Sequence, residues 1–148
     1  MNKQALANDL KGVLAESVQL YVLTWNVHWN VTGPLFNSVH TLTEEQYTEL
    51  ATAVDDIAER IRALGEKAPA GLKVFQDMGD IADGDERASA EDMVRALAAA
   101  QEKIGNRIRP LISKSSEDGD EVTAGLLTDR LTVHEKSAWM LRSIVGEN

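Results

Sequence analysis

Cysteine is absent from this sequence, which excludes a disulfide framework, thiolate catalysis and any sulfur-ligated cluster. A metal could be held only by nitrogen and oxygen, donors that suit iron, manganese and magnesium better than soft ions. Proline is scarce, at 3 residues, and with 43% hydrophobic content this argues for an ordered globular protein. No apolar run approaches a bilayer crossing, and the N-terminal MNKQALANDLKG is neither a secretory leader nor a polybasic arm. The expected location is therefore the cytoplasm, away from membranes. Positive charge is in deficit: 15 Lys and Arg against 24 Asp and Glu leave a formal charge of -9. Such a surface repels nucleic acid and acidic membranes and attracts cations.

What is present is helical. The 148 residues fit a single domain, 1–148, able to bury its own core. From Lys3 to Val31, Leu6, Leu10, Val13, Leu14, Val18, Tyr21, Val22 and Trp25 recur at helical spacing. Gly33-Pro34 ends that helix, and a second runs to about Ala63 with Gly65 as its C-terminal cap. A crossover from Glu66 to Ala88 follows, in which Leu72 to Met78 can form one or two turns. Ser89, with Asp92 three residues on, caps a third long helix in which Gly105 and Pro110 are weak points. Ser113 to Gly119 reads as a polar break, and a fourth helix spans Asp120 to Val145. Four long helices with a long central crossover carrying a short helix describe an all-α, ferritin-like four-helix bundle.

The second helix carries the chemistry. At about 100° per residue, Glu44, Asp55 and Glu59 lie within about 40°, 60° and 100° of His40, on one face. Such a face is either solvated or a metal site. Along the axis His40 and Asp55 stand roughly 22 Å apart, so no single centre within one chain spans them. A two-fold copy of the helix running antiparallel would bring His40 and Glu44 of one chain against Asp55 and Glu59 of the other, twice per dimer. His28 lies on the far side of the Gly33-Pro34 turn at a similar level, and can converge on His40 or simply pack between Trp25 and Trp29. Two histidines and three carboxylates are a set that ferrous iron accepts. Glu45, Glu49 and Asp56 read as solvated, and His134 as a structural helix residue.

These residues carry a resemblance. His28-Trp29-Asn30-Val31, Gly33-Pro34, Phe36, His40 and the run Asp55-Asp56-Ile57-Ala58-Glu59-Arg60 resemble the signature of the Dps family, the miniferritins. The likeness continues through Ala63-Leu64-Gly65, Glu91-Asp92-Met93-Val94, Gly119-Asp120 with Thr123, Glu135-Lys136 and Trp139-Met140-Leu141. It implies a hollow homododecamer that oxidises ferrous iron, typically with hydrogen peroxide, and stores ferric oxide inside. Iron is substrate and product, and no organic cofactor is implied. The ferroxidase residues fall on His28, His40, Glu44, Asp55 and Glu59, with Trp29 beside the centre as a quencher of one-electron oxidants. Iron-entry pores fall at the start of the fourth helix, on Asp120, Glu121 and Asp129, although Gly125 stands where another aspartate is common. The family's DNA binding often needs a basic terminal tail. None is visible here, so weak or absent DNA binding is expected. The competing readings are a nucleoid architectural protein and a purely structural bundle whose histidines are core residues.

Overall fold

The computed structural model describes residues 1–147, and five α-helices account for most of them. They are α1 (Lys3–Asn30), α2 (Phe36–Ala63), α3 (Leu72–Met78), α4 (Ala90–Glu117) and α5 (Glu121–Ile144). The first two form one antiparallel hairpin, α4 and α5 form another, and the hairpins pack α1 on α4 and, more sparsely, α2 on α5. The short α3 lies on α1 within the crossover. Leu10, Leu14 and Leu20 of α1, Ile57 and Ile61 of α2, Leu97, Ile104 and Ile108 of α4, and Leu127 and Leu141 of α5 fill the core. Each fully buried aliphatic side chain of this kind contributes about 1.5–3 kcal/mol.

The helix ends follow from local chemistry. Ser89 accepts a hydrogen bond from the Asp92 amide, and Asn2 and Asp120 do the same for Ala5 and Thr123, so three orphan amide donors are satisfied by side chains. At the end of α2 the Gly65 amide bonds to Arg62 O and the Glu66 amide to Ile61 O. This paired closure needs a left-handed residue, and Gly65 supplies it at φ +96°. Gly119, at φ +84°, closes α4 in the same way onto Ser116 and Ser115.

One boundary departs from expectation. The polar stretch from Ser113 does not break the chain; α4 continues through Pro110 to Glu117, and the break shrinks to Asp118–Asp120. Pro110 is exposed, as is Asn106, whose carbonyl would have paired with the missing amide, so water can replace the lost bond. Ser115 is buried and donates to Leu111 O, which lets a polar residue sit inside the last turns.

Candidate metal centre

The five-residue turn between α1 and α2 sets His28 and His40 ring on ring. Their centroids are 3.8 Å apart with planes 13° from parallel. His28 Nδ1 lies 2.8 Å from His40 O, and His40 Nδ1 lies 2.8 Å from His28 O. A carbonyl can only accept, so both Nδ1 atoms carry a proton, and in the neutral ring it is then Nε2 that offers the lone pair. That is the tautomer a metal-ligating histidine needs, held by backbone oxygens as the second shell of many metal sites is held. Thr43 Oγ1 stands 3.1 Å from His28 Nδ1, Tyr47 meets the His28 ring edge-on at 5.1 Å, and Phe36 stacks on His40 at 4.9 Å. His28 is buried and His40 half-buried. Trp29 is 64% exposed on the surface beside them, while Trp25 lies stacked at 5.2 Å beneath it.

Glu44 is exposed one turn beyond His40. Asp55 and Glu59 are exposed near the other end of α2 and close to one another. Repulsion from Asp55, a hydrogen bond shared with it, slight burial and the charge of Asp56 all raise the Glu59 carboxyl above its ordinary range. Two carboxylates one turn apart on a solvent face repel, and a cation between them relieves the repulsion. The helix is unbroken between the two sets, so the separation of roughly 22 Å stands. Among the described residues no three His, Asp or Glu side chains of one chain converge. His28 and His40 meet at one end of α2 and Asp55 and Glu59 at the other, and a single chain does not join the two pairs.

The three acidic residues expected at an iron entry are placed unequally. Glu121 and Asp129 are exposed on α5. Asp120 is 3% exposed; it caps α5, accepts from the Thr123 hydroxyl, and binds Arg60 Nη2 at 2.8 Å. Burial works against its charge, but hydrogen bonds from Thr123 and the Arg60 guanidinium outweigh this and hold the carboxyl below the usual carboxylate range. Arg60 Nε also donates to Thr123 Oγ1 at 3.0 Å. This cluster fastens the start of α5 to α2 directly beside Glu59.

Glu49 departs from the solvated reading: it is half-buried and pairs with Arg130 of α5, which is 4% exposed. The pairing follows from where α2 faces α5. His134 is a structural residue, 1% exposed, with Nδ1 2.7 Å from Gln101 Oε1. Burial, with help from the Arg130 charge, lowers its pKa to about 3. The folded state therefore binds fewer protons than the unfolded one between about pH 6.5 and about 3, and stability is lost as pH falls through that window. His134→Leu is expected to flatten this part of the stability–pH curve, measured by urea unfolding at a series of pH values. An unchanged slope would assign the acid lability to other groups.

A four-helix bundle with a long central crossover and a histidine pair at one hairpin end defines a ferritin-like protein, and residues 7–147 match the Ferritin-like domain model. Within that class, the chain belongs to the Dps family, one of iron storage and protection against oxidative damage. It is 37% identical over 147 residues to DNA protection during starvation protein 2 of Bacillus anthracis, covering 99% of this chain and 100% of that one. The Dps structure from Staphylococcus aureus superposes with a TM-score of 0.94 at 29% identity, covering 99% of both chains. That from Vibrio cholerae O1, a member of a broad superfamily of ferritin-like diiron-carboxylate proteins, gives 0.91 at 29% identity, over 97% of this chain and 90% of that one.

Proposed function

We propose that this protein oxidises ferrous iron at centres shared between two subunits, uses hydrogen peroxide in preference to dioxygen, and stores the ferric product inside a shell of twelve chains. The observation that carries this reading is the reciprocal His28–His40 cradle, which ties up both Nδ1 atoms on backbone carbonyls and leaves the two Nε2 atoms on the opposite side of each ring for a metal. His28, His40 and Glu44 of one chain face Asp55 and Glu59 of the partner subunit. The imidazoles keep ferrous iron exchangeable, and the carboxylates offset its charge and can bridge a second, weaker ion. Peroxide accepts two electrons from two ferrous ions and two protons from solvent, and leaves as two waters. Trp29, exposed beside the centre, is placed to absorb a stray one-electron oxidant. Apolar side chains that a single chain leaves exposed support burial against other copies: Leu72 (81% exposed), Val74 and Met78 of α3 with Val22 of α1, and Val122 and Trp139 of α5.

Anomalous diffraction from iron-soaked crystals tests the reading. Iron is expected between the histidine cradle of one chain and the Asp55–Glu59 pair of its neighbour; a sedimenting monomer, or iron elsewhere, would remove it. No retention of duplex DNA is expected in a gel shift at physiological salt and near-neutral pH, given a charge of -9 per chain. Binding that weakens steeply with salt would instead favour the architectural reading.

Iron entry is proposed along the acidic start of α5, where Glu121 and Asp129 present exposed carboxylates and Asp120 orients the helix from its buried cap. Neutralising Glu121 and Asp129 together is expected to slow uptake several-fold at unchanged assembly, since acidic constrictions concentrate cations. Asp120→Ala should instead destabilise the subunit, by about 1–2 kcal/mol for the lost cap alone. Unaltered uptake kinetics in the Glu121→Gln/Asp129→Asn shell would move the entry path elsewhere.

A further inference from the structure

Ferritin-like bundles can hold metal in their cores, between carboxylates and histidines projecting from facing helices. The core of this subunit holds part of such a donor set, occupied in another way. Glu49 of α2 supplies a carboxylate, His134 of α5 an imidazole, and Gln46 and Gln101 two amides. The Arg130 guanidinium lies between the first two: Nη1 donates to Glu49 Oε2, and Nη2 stands 3.4 Å from His134 Nε2. Because His134 Nδ1 donates to Gln101, its Nε2 lone pair is the one that meets Arg130. The guanidinium thus engages one oxygen of the carboxylate and the imidazole nitrogen that a metal ion would use.

Access is not what keeps metal out. A cavity of about 260 Å³ opens between α2 and α5, with Glu45, Glu49, Arg130 and His134 among its walls. Nor does the guanidinium satisfy every polar group there. Gln46 is 8% exposed with both amide atoms unpartnered, and Arg130 Nε is unpartnered too. The polar set is larger than an arginine needs, and it includes oxygen donors suited to a hard divalent cation.

We propose that Arg130 is the built-in cation of the bundle core: it takes the place between Glu49 and His134 that a divalent ion could take, and so keeps iron out of the subunit interior. A guanidinium does not deprotonate in proteins, so the exclusion holds at every working pH. An incoming divalent ion meets a like charge in a partly dry site, where repulsion is screened far less than in water. That iron is thereby left to the intersubunit centre rests on the function proposed above; exclusion from the core does not.

Cobalt(II) is the probe, soaked into crystals of the assembled full chain and located by anomalous diffraction. The wild type is expected to show no cobalt between α2 and α5. Arg130→Met, which keeps the bulk and drops the charge, should show about one added ion per subunit bounded by Glu49 and His134. Arg130→Lys should stay empty there, and His134→Ala in the Arg130→Met background should lose the ion. Should Arg130→Met fail to assemble, Arg130→Gln carries the same test, because it keeps a hydrogen-bonding side chain without the charge. Cobalt in the wild-type core, or none in a folded charge-free variant, overturns the proposal. The readout is occupancy inside one subunit, so it stands apart from the fate of the shared ferroxidase centre.

Discussion

His28→Ala is expected to lower the rate of iron oxidation by roughly a hundredfold or more, since disturbing even the outer partners of a metal ligand costs about 10–100-fold. Asp55→Ala should do the same, although Asp55 belongs to the other end of α2 from His40. Stopped-flow absorbance with peroxide measures both. The decisive step is mixing. In an interface between one chain of each variant, one centre loses both His28 and Asp55, while the other has all its ligands. Random mixing makes half the interfaces unlike and repairs one centre of two in each, so about a quarter of the fast phase should return. A centre contained within one subunit gives no recovery on mixing, and that result would end the shared-site mechanism. Sedimentation of each variant alone separates loss of chemistry from loss of assembly.

The sequence made the helices and the shared face of α2 legible because each is a matter of local period. His40, Glu44, Asp55 and Glu59 fall on one face by helical geometry alone, and the unbroken α2 keeps them there. The antiparallel α1–α2 turn that brings His28 to His40 was legible in Gly33-Pro34. The reciprocal hydrogen bonds were not, because they join side chains to backbone carbonyls that any sequence supplies. Asp120 shows a different limit. At a helix start a carboxylate reads equally as a solvated charge or as a cap; only the position of Arg60, sixty residues earlier, decides for the buried cap. Arg60, Asp120 and Thr123 all belong to the motif stretches that resemble the family, and they meet in one cluster. Their joint appearance was the signal available. For Arg130 and Glu49 there was none, since a pair formed between α2 and α5 has no period along the chain. The serines from Ser113 onward favour turns by local preference, but tertiary packing holds α4 helical to Glu117.

Removing the carboxylate of Glu16 is expected to cost more stability than removing any exposed ion pair of the subunit. Glu16 is 2% exposed in the middle of α1, between the core positions Leu14 and Leu20. Its oxygens receive Arg107 Nε at 2.8 Å, Arg107 Nη2 at 3.4 Å and the Asp80 amide at 3.0 Å. One buried carboxylate thus ties α1 to α4 and to the crossover, with Gln19 Oε1 holding the next amide, Ile81, at 3.1 Å. Breaking a buried pair leaves its other charge uncompensated, at about 3–5 kcal/mol. Arg107 has 36% of its side chain exposed and can turn partly to water, so the pair should yield less than that. The orphaned Asp80 amide and the vacated core volume add to it, which places Glu16→Ala at about 2–4 kcal/mol. Glu16→Gln, able to keep one hydrogen bond to Arg107, should lose less. Because Asp80 lies in the crossover that positions the start of α4, amide exchange over residues 79–88 should rise in Glu16→Ala before the rest of the bundle opens. Uniform exchange across all five helices at the same destabilisation would mean that Glu16 stabilises the bundle as a whole and not the crossover in particular.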